Sequence, residues 1–138
     1  MRFSVKVQYG LQALLELALN AGGGPVQISE IAADQKVPVK FLEQILLSLK
    51  RVGLVASVRG RAGGYVLAKR PGEISALNLI EALDGPIELM NKRGKKSAVI
   101  FEAFDLLESN LRQELAKLTL SDLALKARQK ERAYTYNI

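Results

Sequence analysis

Apolar and polar positions alternate with helical spacing through the first third of the chain. Over Val5–Ala21 a polar residue recurs at every fourth position, which draws one polar stripe along an otherwise apolar helix. Ser4 is placed to cap this helix, and a Gly-Gly-Gly-Pro run ends it. Neither a signal peptide nor a membrane span carries such a stripe, so the pattern favours a helix of a folded domain. A second helix is predicted from Ser29 to about Gln35.

The third predicted helix is amphipathic and follows a short turn at Lys36-Val37. Pro38 is its predicted first residue, because the missing N–H of a proline would be unpaired there in any case. One face is apolar and carries Leu42, Ile45, Leu46, Leu49 and Val52. The opposite face carries Lys40, Glu43, Gln44, Leu47 and Arg51. Two short helices joined in this way predict a helix-turn-helix motif.

A glycine-rich hairpin is predicted directly after this motif. Two short apolar strands, Leu54–Val58 and Tyr65–Ala68, flank a tip that carries Arg59, Gly60 and Arg61. A thin arm with arginines at its tip suits a phosphate backbone or a narrow minor groove. The hairpin therefore predicts the wing of a winged helix-turn-helix DNA-binding domain over residues 1–86.

The rest of the chain predicts a connecting loop and two further helices. Ser75 is expected to cap a short fourth helix that Gly85-Pro86 ends, and a basic loop over residues 87–97 follows. A long helix over about Ala98–Leu118 repeats apolar residues at intervals of three and four: Ile100, Phe104, Leu107, Leu111, Leu115 and Leu118. A monomer of this size has little surface to cover that stripe, so we expect a dimerisation helix. The alternative is that the helix folds back on its own domain.

The C-terminal end is predicted to hold little structure. Ser121 is placed to cap a short last helix that completes a dimerisation segment over residues 98–130, and residues 131–138 are predicted to form a flexible tail. The expected fold is mainly α with a small β-wing: a winged helix-turn-helix domain followed by a long C-terminal dimerisation helix.

Composition removes several classes of function. The 138 residues contain no cysteine and no histidine, which excludes disulfides, most zinc sites and cysteine-held iron–sulfur clusters. The usual general base is also missing, and the sequence shows neither a nucleophile–base constellation nor a phosphate-binding loop. We therefore expect a cytoplasmic protein that is not an enzyme.

Charge is distributed unevenly between the two halves of the chain. Residues 1–72 hold ten basic and four acidic side chains, whereas residues 73–138 hold ten of each, so the net charge of +6 lies in the first half. Between Glu43 and Glu73 there are six basic residues and no acidic one. Such a concentration is typical of a surface that binds a polyanion, although a merely solubilising surface is the alternative.

These motifs together resemble the bacterial IscR/NsrR/CymR family of winged-helix transcription regulators, the Rrf-two family. The matching segments cover about four-fifths of the chain in order: FSVKVQYGLQALLELAL, ISEIAA, FLEQI, GLVASVRGRAGGYVL, IEALDGP and LTLSDL. The resemblance implies DNA contacts at Lys6, Tyr9, Lys40, Glu43, Gln44 and, in the wing, Arg59. Arg51, Gly60 and Arg61 complete the predicted DNA surface.

The resemblance also suggests what each contact does. Glutamine can bond an adenine edge, glutamate can accept from the amino group of cytosine, and Lys40 can reach guanine or a phosphate. Arg59 corresponds to a family arginine that enters the minor groove, and Lys6 and Tyr9 correspond to backbone contacts that set the register. The alternative for Glu43 and Gln44 is an ordinary solvated helix face.

The chain departs from the cluster-sensing members of the family. Those members carry cysteines between the DGP turn and the dimer helix, where this chain has IELMNKRGKKS over Ile87–Ser97. The resemblance is therefore to the cluster-free, CymR-type branch, which controls cysteine and sulfur metabolism, and no cofactor is expected.

The last residues resemble a docking tail. The chain ends with Tyr136, Asn137 and Ile138. These residues resemble the tails that CymR-type regulators insert into the active site of cysteine synthase. The alternative is a frayed terminus without function. We expect a homodimeric repressor that binds a palindromic operator as double-stranded DNA, with cysteine synthase as a partner. The alternative from another class is a protein-interaction module that binds and inhibits a metabolic enzyme, with DNA binding secondary.

Overall fold

The computed structural model describes residues 2–91 and 97–136, which form six α-helices and one two-stranded sheet. The helices are α1 (Val5–Leu19), α2 (Ile28–Gln35), α3 (Val39–Arg51), α4 (Ala76–Asp84), α5 (Ala98–Lys117) and α6 (Leu120–Tyr136). Strands β1 (Val55–Val58) and β2 (Gly64–Leu67) lie between α3 and α4. This order confirms a mainly helical winged-helix fold with a small β-wing. No helix in the described ranges is long and apolar enough to cross a membrane.

The start of α1 is stabilised differently from the sequence prediction. Ser4 occupies the N-cap position, but its side chain makes no capping bond to the helix. Its hydroxyl instead donates to Oδ1 of Asp84 at 2.5 Å, and its backbone N–H donates to Oδ2 of the same carboxylate at 2.9 Å. The predicted capping role of Ser4 is therefore wrong, because the hydroxyl is directed to the Asp84 carboxylate at the end of α4 and its oxygen accepts no bond from the first turn of α1.

Helix boundaries in the first half differ from the prediction by one or two residues. The first helix ends at Leu19 rather than Ala21, and α2 begins at Ile28 rather than Ser29. Pro38 is the N-cap of α3 in extended conformation, not its first residue. The first predicted strand shortens by one residue to Val55–Val58, and the second moves by one residue to Gly64–Leu67. Val55 pairs with Leu67 and Val58 with Gly64.

One continuous core joins both halves of the chain. Its buried residues include the inner faces of α1, α3 and α4 together with Leu120 and Ala124 of α6. Gly10 allows the close approach of α1 and α4, because a Cβ there would lie 2.7 Å from Cδ1 of Leu83. The first 86 residues and the C-terminal helices therefore bury their apolar side chains together.

The predicted cap of α4 by Ser75 is confirmed. The backbone N–H of Asn78 donates to the Ser75 hydroxyl at 3.2 Å, and the Ser75 N–H donates to Oδ1 of Asn78 at 2.9 Å. This reciprocal pair is a capping box with asparagine at the third helical position. The Ala76 N–H also donates to the Leu118 carbonyl at 2.8 Å, which joins the start of α4 to the link between α5 and α6.

The apolar stripe predicted for the dimer interface divides into two parts. Leu111, Leu115 and Leu118 are partly buried against the chain's own core, and Arg112 forms an ion pair with Glu81 of α4. These three leucines thus contact the chain's own core, as the alternative of folding back expects, and a contact of their remaining surface with a second subunit stays a prediction. A 20-residue helix is about 30 Å long, so its C-terminal half can pack on α4 while the other half extends further.

The N-terminal half of α5 carries the apolar residues that the core leaves uncovered. Ile100, Phe104 and Leu107 of the predicted stripe are exposed, as are Val99 and Leu106 beside them. The basic loop predicted before this helix covers residues 87–97, of which 92–96 lie outside the described residues. In its described part Ile87 is buried, and the Leu89 N–H donates to Oε1 of Glu108 at 3.0 Å.

The last helix is longer than the sequence predicts. It runs over 17 residues to Tyr136, so the prediction that a short last helix ends before residue 131 is wrong. The flexibility of residues 131–138 stays a prediction. Thr119 and Asp122, rather than Ser121, cap its start. The Thr119 N–H donates to Oδ2 of Asp122 at 3.0 Å, and the Asp122 N–H donates to the threonine hydroxyl at 3.1 Å. The hydrogen bond from the Thr119 backbone holds the pKa of Asp122 below its ordinary value. Asn137 and Ile138 lie outside the described residues.

Candidate nucleic-acid interface

The outward face of α3 is the centre of the candidate site. Its inner side chains, Leu42, Ile45, Leu46 and Leu49, are fully buried in the core. Packing of these four residues fixes the rotation of the helix about its axis. The outer side chains are consequently exposed, and they are the predicted ones: Lys40, Glu43, Gln44, Leu47 and Arg51.

The turn between α2 and α3 sets the angle at which α3 is presented. Lys36 adopts a left-handed conformation with a φ of 55°, which is uncommon for a residue other than glycine. The Val37 N–H donates to the Ala32 carbonyl at 3.0 Å, and the Val37 side chain is buried. Three residues therefore separate α2 from α3, as the helix-turn-helix prediction requires.

The start of α1 lies beside α3. The ring of Tyr9 packs edge-on against Phe41, with ring centroids 5.6 Å apart, so this predicted contact residue is half-buried. Lys6 is exposed one turn earlier. It lines a concavity of about 130 Å³ together with Gln44 and Ser48 of α3. Lys6, which is predicted to contact the DNA backbone, therefore lies beside α3, which is predicted to read the bases.

Asp84 positions the start of α1, a role that the sequence pattern did not predict. Its carboxylate receives two hydrogen bonds from Ser4, at the N-terminal end of α1 where the helix dipole favours negative charge. This contact anchors the start of α1 to the end of α4, and Lys6 follows two residues later. The only sequence signal for Asp84 is the DGP turn, which predicts the end of a helix but does not predict the contact with Ser4.

The wing is built from a tight hairpin that also pairs with the chain before α2. Beyond the β1–β2 ladder, the Val26 N–H donates to the Tyr65 carbonyl at 2.9 Å, and the Tyr65 N–H donates back to the Val26 carbonyl at 2.8 Å. Gly64 has a φ of 149°, and a Cβ there would lie 2.6 Å from the carbonyl carbon of Val26. The second glycine of the GGY motif is therefore required for this approach.

The tip of the wing carries the predicted arginines. Arg59, Gly60 and Arg61 are all exposed, with the Gly60 φ at 107°. The side-chain amide of Gln27 donates to the Arg61 carbonyl at 3.2 Å, so the residue before α2 steadies the tip from outside the hairpin. The structure thus brings the backbone of Arg61 into contact with the residue before α2.

A second link joins the wing to α3. The Lys50 ammonium donates to the Ser57 hydroxyl at 2.7 Å, from the last turn of α3 to the middle of β1. Lys50, Ser57 and Gln27 are not among the predicted site residues. Lys50 lies in the basic stretch that the sequence analysis noted, but its hydrogen-bonded partner could be found only from the folded chain.

The family model Rrf2, described as an iron-dependent transcriptional regulator, matches residues 3–126. The chain belongs to the Rrf2 family. Members of this family are transcriptional regulators, and the chain is accordingly a transcriptional regulator rather than an enzyme.

Three comparisons illustrate how similar the chain is to other Rrf2 proteins. It is 34% identical to the HTH-type transcriptional regulator CymR of Bacillus subtilis (strain 168) over 138 residues, which cover 100% of both chains. The solved structure of B. subtilis CymR, described as the global cysteine regulator, has a TM-score of 0.85 and covers 91% of this chain and 98% of that one at 34% identity. The regulator IscR of Cronobacter sakazakii is 40% identical over 95 residues, which are 69% of this chain and 59% of IscR.

The iron named in the Rrf2 description does not fit the donor set of this chain. Iron–sulfur clusters in proteins are held by cysteine thiolates, with histidine as an occasional replacement, and the sequence contains neither residue. Within residues 2–91 and 97–136, no cluster of three or more acidic side chains could hold a metal ion. The chain therefore resembles the cluster-sensing members in its fold but lacks the cysteine residues that would bind a cluster.

Replacing Gly64 with alanine tests the geometry of the wing. We expect Gly64→Ala to lower the free energy of unfolding by about 1–3 kcal/mol, because the left-handed φ and the approach to Val26 both exclude a Cβ. Urea denaturation provides the measurement. Gly72→Ala is the matched control, since a Cβ at Gly72 meets nothing within 4 Å. Equal stability of the two variants would contradict this account of the hairpin.

Proposed function

We propose that the protein binds a palindromic operator as a homodimer and represses transcription in the bacterial cytoplasm. Each α3 enters a major groove, and each wing enters the neighbouring minor groove. The observation that carries the proposal is the combination of an exposed polar face on α3 with arginines at the tip of a wing that is hydrogen-bonded to the same helix. Half-site centres then lie one helical turn, or a multiple of it, apart.

Each outward residue has a proposed role. Gln44 bonds an adenine edge, Glu43 accepts from a cytosine amino group, and Lys40 reaches guanine or a phosphate. Arg59 enters the minor groove, where a narrow A·T-rich stretch attracts cations. The remaining contacts are made to the DNA backbone and position the protein on the duplex; they involve Lys6, Tyr9, Arg51, Gly60 and Arg61.

The net charge supports DNA as the partner. All of the +6 charge lies in residues 1–72, the half of the chain that contains α3 and the wing. Neutralising phosphates with these cations releases counterions, so the affinity falls steeply with salt. The charge-balanced second half is left for contacts between subunits.

Two substitutions separate sequence reading from backbone binding. Arg59→Ala is expected to cost about 1–3 kcal/mol of binding to a selected operator, whereas Lys6→Ala should weaken selected and random duplexes about equally and lower the salt slope by about 1. Fluorescence anisotropy at several salt concentrations measures both effects. Lys130→Ala, which removes an exposed cation from α6, is the matched control. An Arg59 variant with wild-type operator affinity would contradict the role of the wing.

The exposed half of α5 is the proposed dimer interface. The sequence predicts Ile100, Phe104 and Leu107 for it, and their exposure in one protomer supports that use. Val99 and Leu106 extend the same uncovered surface, Val99 being 76% exposed. Contiguous exposed apolar surface of this kind is typical of a subunit interface.

A charge on this surface is expected to separate the subunits. Leu107→Glu should give a monomer at micromolar concentration in sedimentation equilibrium, because a carboxylate cannot be buried there without a partner. Ala116→Glu is the matched control and should remain a dimer. Ala116 is an exposed residue of the same helix, and nine residues along a helix place it on the side opposite Leu107 and about 13.5 Å further along the axis. Dimeric Leu107→Glu protein would show that the contact lies elsewhere.

The link to cysteine metabolism rests on the similarity to CymR along the whole chain. We propose that the regulator works without a cluster and that cysteine synthase, bound through Tyr136, Asn137 and Ile138, acts as its corepressor. Helix α6 continues to Tyr136, so this tail begins at the last residue of the helix. In the last turn the Thr135 hydroxyl donates to the Glu131 carbonyl at 2.9 Å.

Truncation of the tail distinguishes this proposal from the interaction-module alternative. Removal of residues 136–138 should abolish association with cysteine synthase, measured by calorimetry, and leave operator affinity unchanged. Ile138→Ala, which keeps the terminal carboxylate but loses the apolar side chain, should weaken the association. Undiminished binding by the truncated chain would contradict docking. A full-length chain that binds the enzyme but prefers no DNA sequence would favour the interaction module.

A further inference from the structure

Leu47 lies on the outward face of α3, in line with the residues proposed to contact DNA. A single exposed leucine is common on protein surfaces and needs no explanation by itself. Leu47, however, is 48% exposed, lies one turn after Glu43 and Gln44, and lies one turn before Arg51. It is thus an apolar side chain between the proposed base-reading residues and a cation on the same surface.

The core makes no use of this leucine. The buried side chains of α3 are Leu42, Ile45, Leu46 and Leu49, and Leu47 belongs neither to the core of the described residues nor to the side chains packed against it. Glutamine, lysine or arginine would support the helix about equally well. An apolar residue at this position therefore exposes hydrocarbon without a compensating contact inside the chain.

The major groove offers one apolar feature that this side chain fits. Thymine presents its C5-methyl group there, and apolar side chains distinguish it by contact. Gln44 and Glu43 can form hydrogen bonds to base edges, whereas Leu47 cannot. Three residues along a helix advance about 4.5 Å, so Leu47 reaches about one or two base-pair steps beyond the pair contacted by Gln44.

We infer that Leu47 is a specificity residue that contacts the C5-methyl group of a thymine in each half-site. This inference rests on the proposed function, because it requires α3 to enter the major groove. It adds a methyl contact to the hydrogen-bonding contacts proposed for Lys40, Glu43 and Gln44. The operator is accordingly expected to hold a thymine at a constant offset from the adenine read by Gln44.

A thymine-to-uracil substitution tests the contact directly, because it removes the methyl group and keeps every hydrogen-bonding group. An operator is first selected from random duplexes with the full-length protein. Each thymine of its half-sites is then replaced by uracil, and affinity is measured by fluorescence anisotropy. At one position the wild-type protein should lose about fourfold in affinity per half-site, the value for burying one methyl group. Replacement by 5-bromouracil, whose bromine fills similar space, should restore binding.

Variants of α3 assign the effect to one side chain. Leu47→Ala should bind thymine and uracil operators equally, whereas Leu47→Met, which keeps an apolar side chain of similar reach, should retain the preference. Val39→Ala is the matched control, because Val39 is also a partly exposed apolar residue of α3. Loss of the preference in Val39→Ala but not in Leu47→Ala would overturn the assignment.

Failure of the inference and failure of the proposed function give different results. If random selection enriches no sequence, the proposed function fails and the inference fails with it. If an operator is enriched, Arg59→Ala weakens it, and no uracil substitution changes the affinity, the proposed function stands and the role of Leu47 is wrong.

Discussion

Burial of the inner face of α3 is the interaction on which the rest of the candidate site depends. Leu42, Ile45, Leu46 and Leu49 fill the core between α1, α2 and α4, and they leave the helix only one rotation about its axis. Because a helix has two opposite faces, the same packing exposes Gln44 and its polar neighbours together. Loss of this packing would cost stability and would also randomise the direction in which the polar face points.

Hydrogen bonds join the other parts of the site to this frame. Asp84 joins the start of α1 to the end of α4, Lys50 joins α3 to β1, and Gln27 joins the wing tip to the start of α2. An arm free to rotate would lose its spacing relative to α3, so a site that includes both parts needs such links. The contacts of Lys50 and Gln27 hold the wing in a fixed position beside α3 and the start of α2.

The long helix α5 illustrates how one element serves two purposes. Its C-terminal half packs on α4 and completes the domain through Leu111 and Leu115, whereas its N-terminal half carries exposed apolar residues. A stripe of apolar residues with constant spacing cannot reveal this division, because the spacing is the same whether the partner is the chain itself or a second copy. Only the lengths and positions of the neighbouring helices decide where the internal partner ends.

The sequence by itself determined the elements, the helix-turn-helix, the wing and the absence of ligands for a cluster, because helical periodicity, glycine chemistry and residue counts are local properties. It also identified the outward residues of α3, since one apolar face implies its opposite. The tertiary structure decided what depends on distant partners. The Ser4–Asp84 contact spans 80 residues, the last helix continues to Tyr136, and half of the predicted dimer stripe faces the chain's own core. Such outcomes depend on which groups compete for the same hydrogen bond or apolar surface, and that competition exists only once the chain has folded.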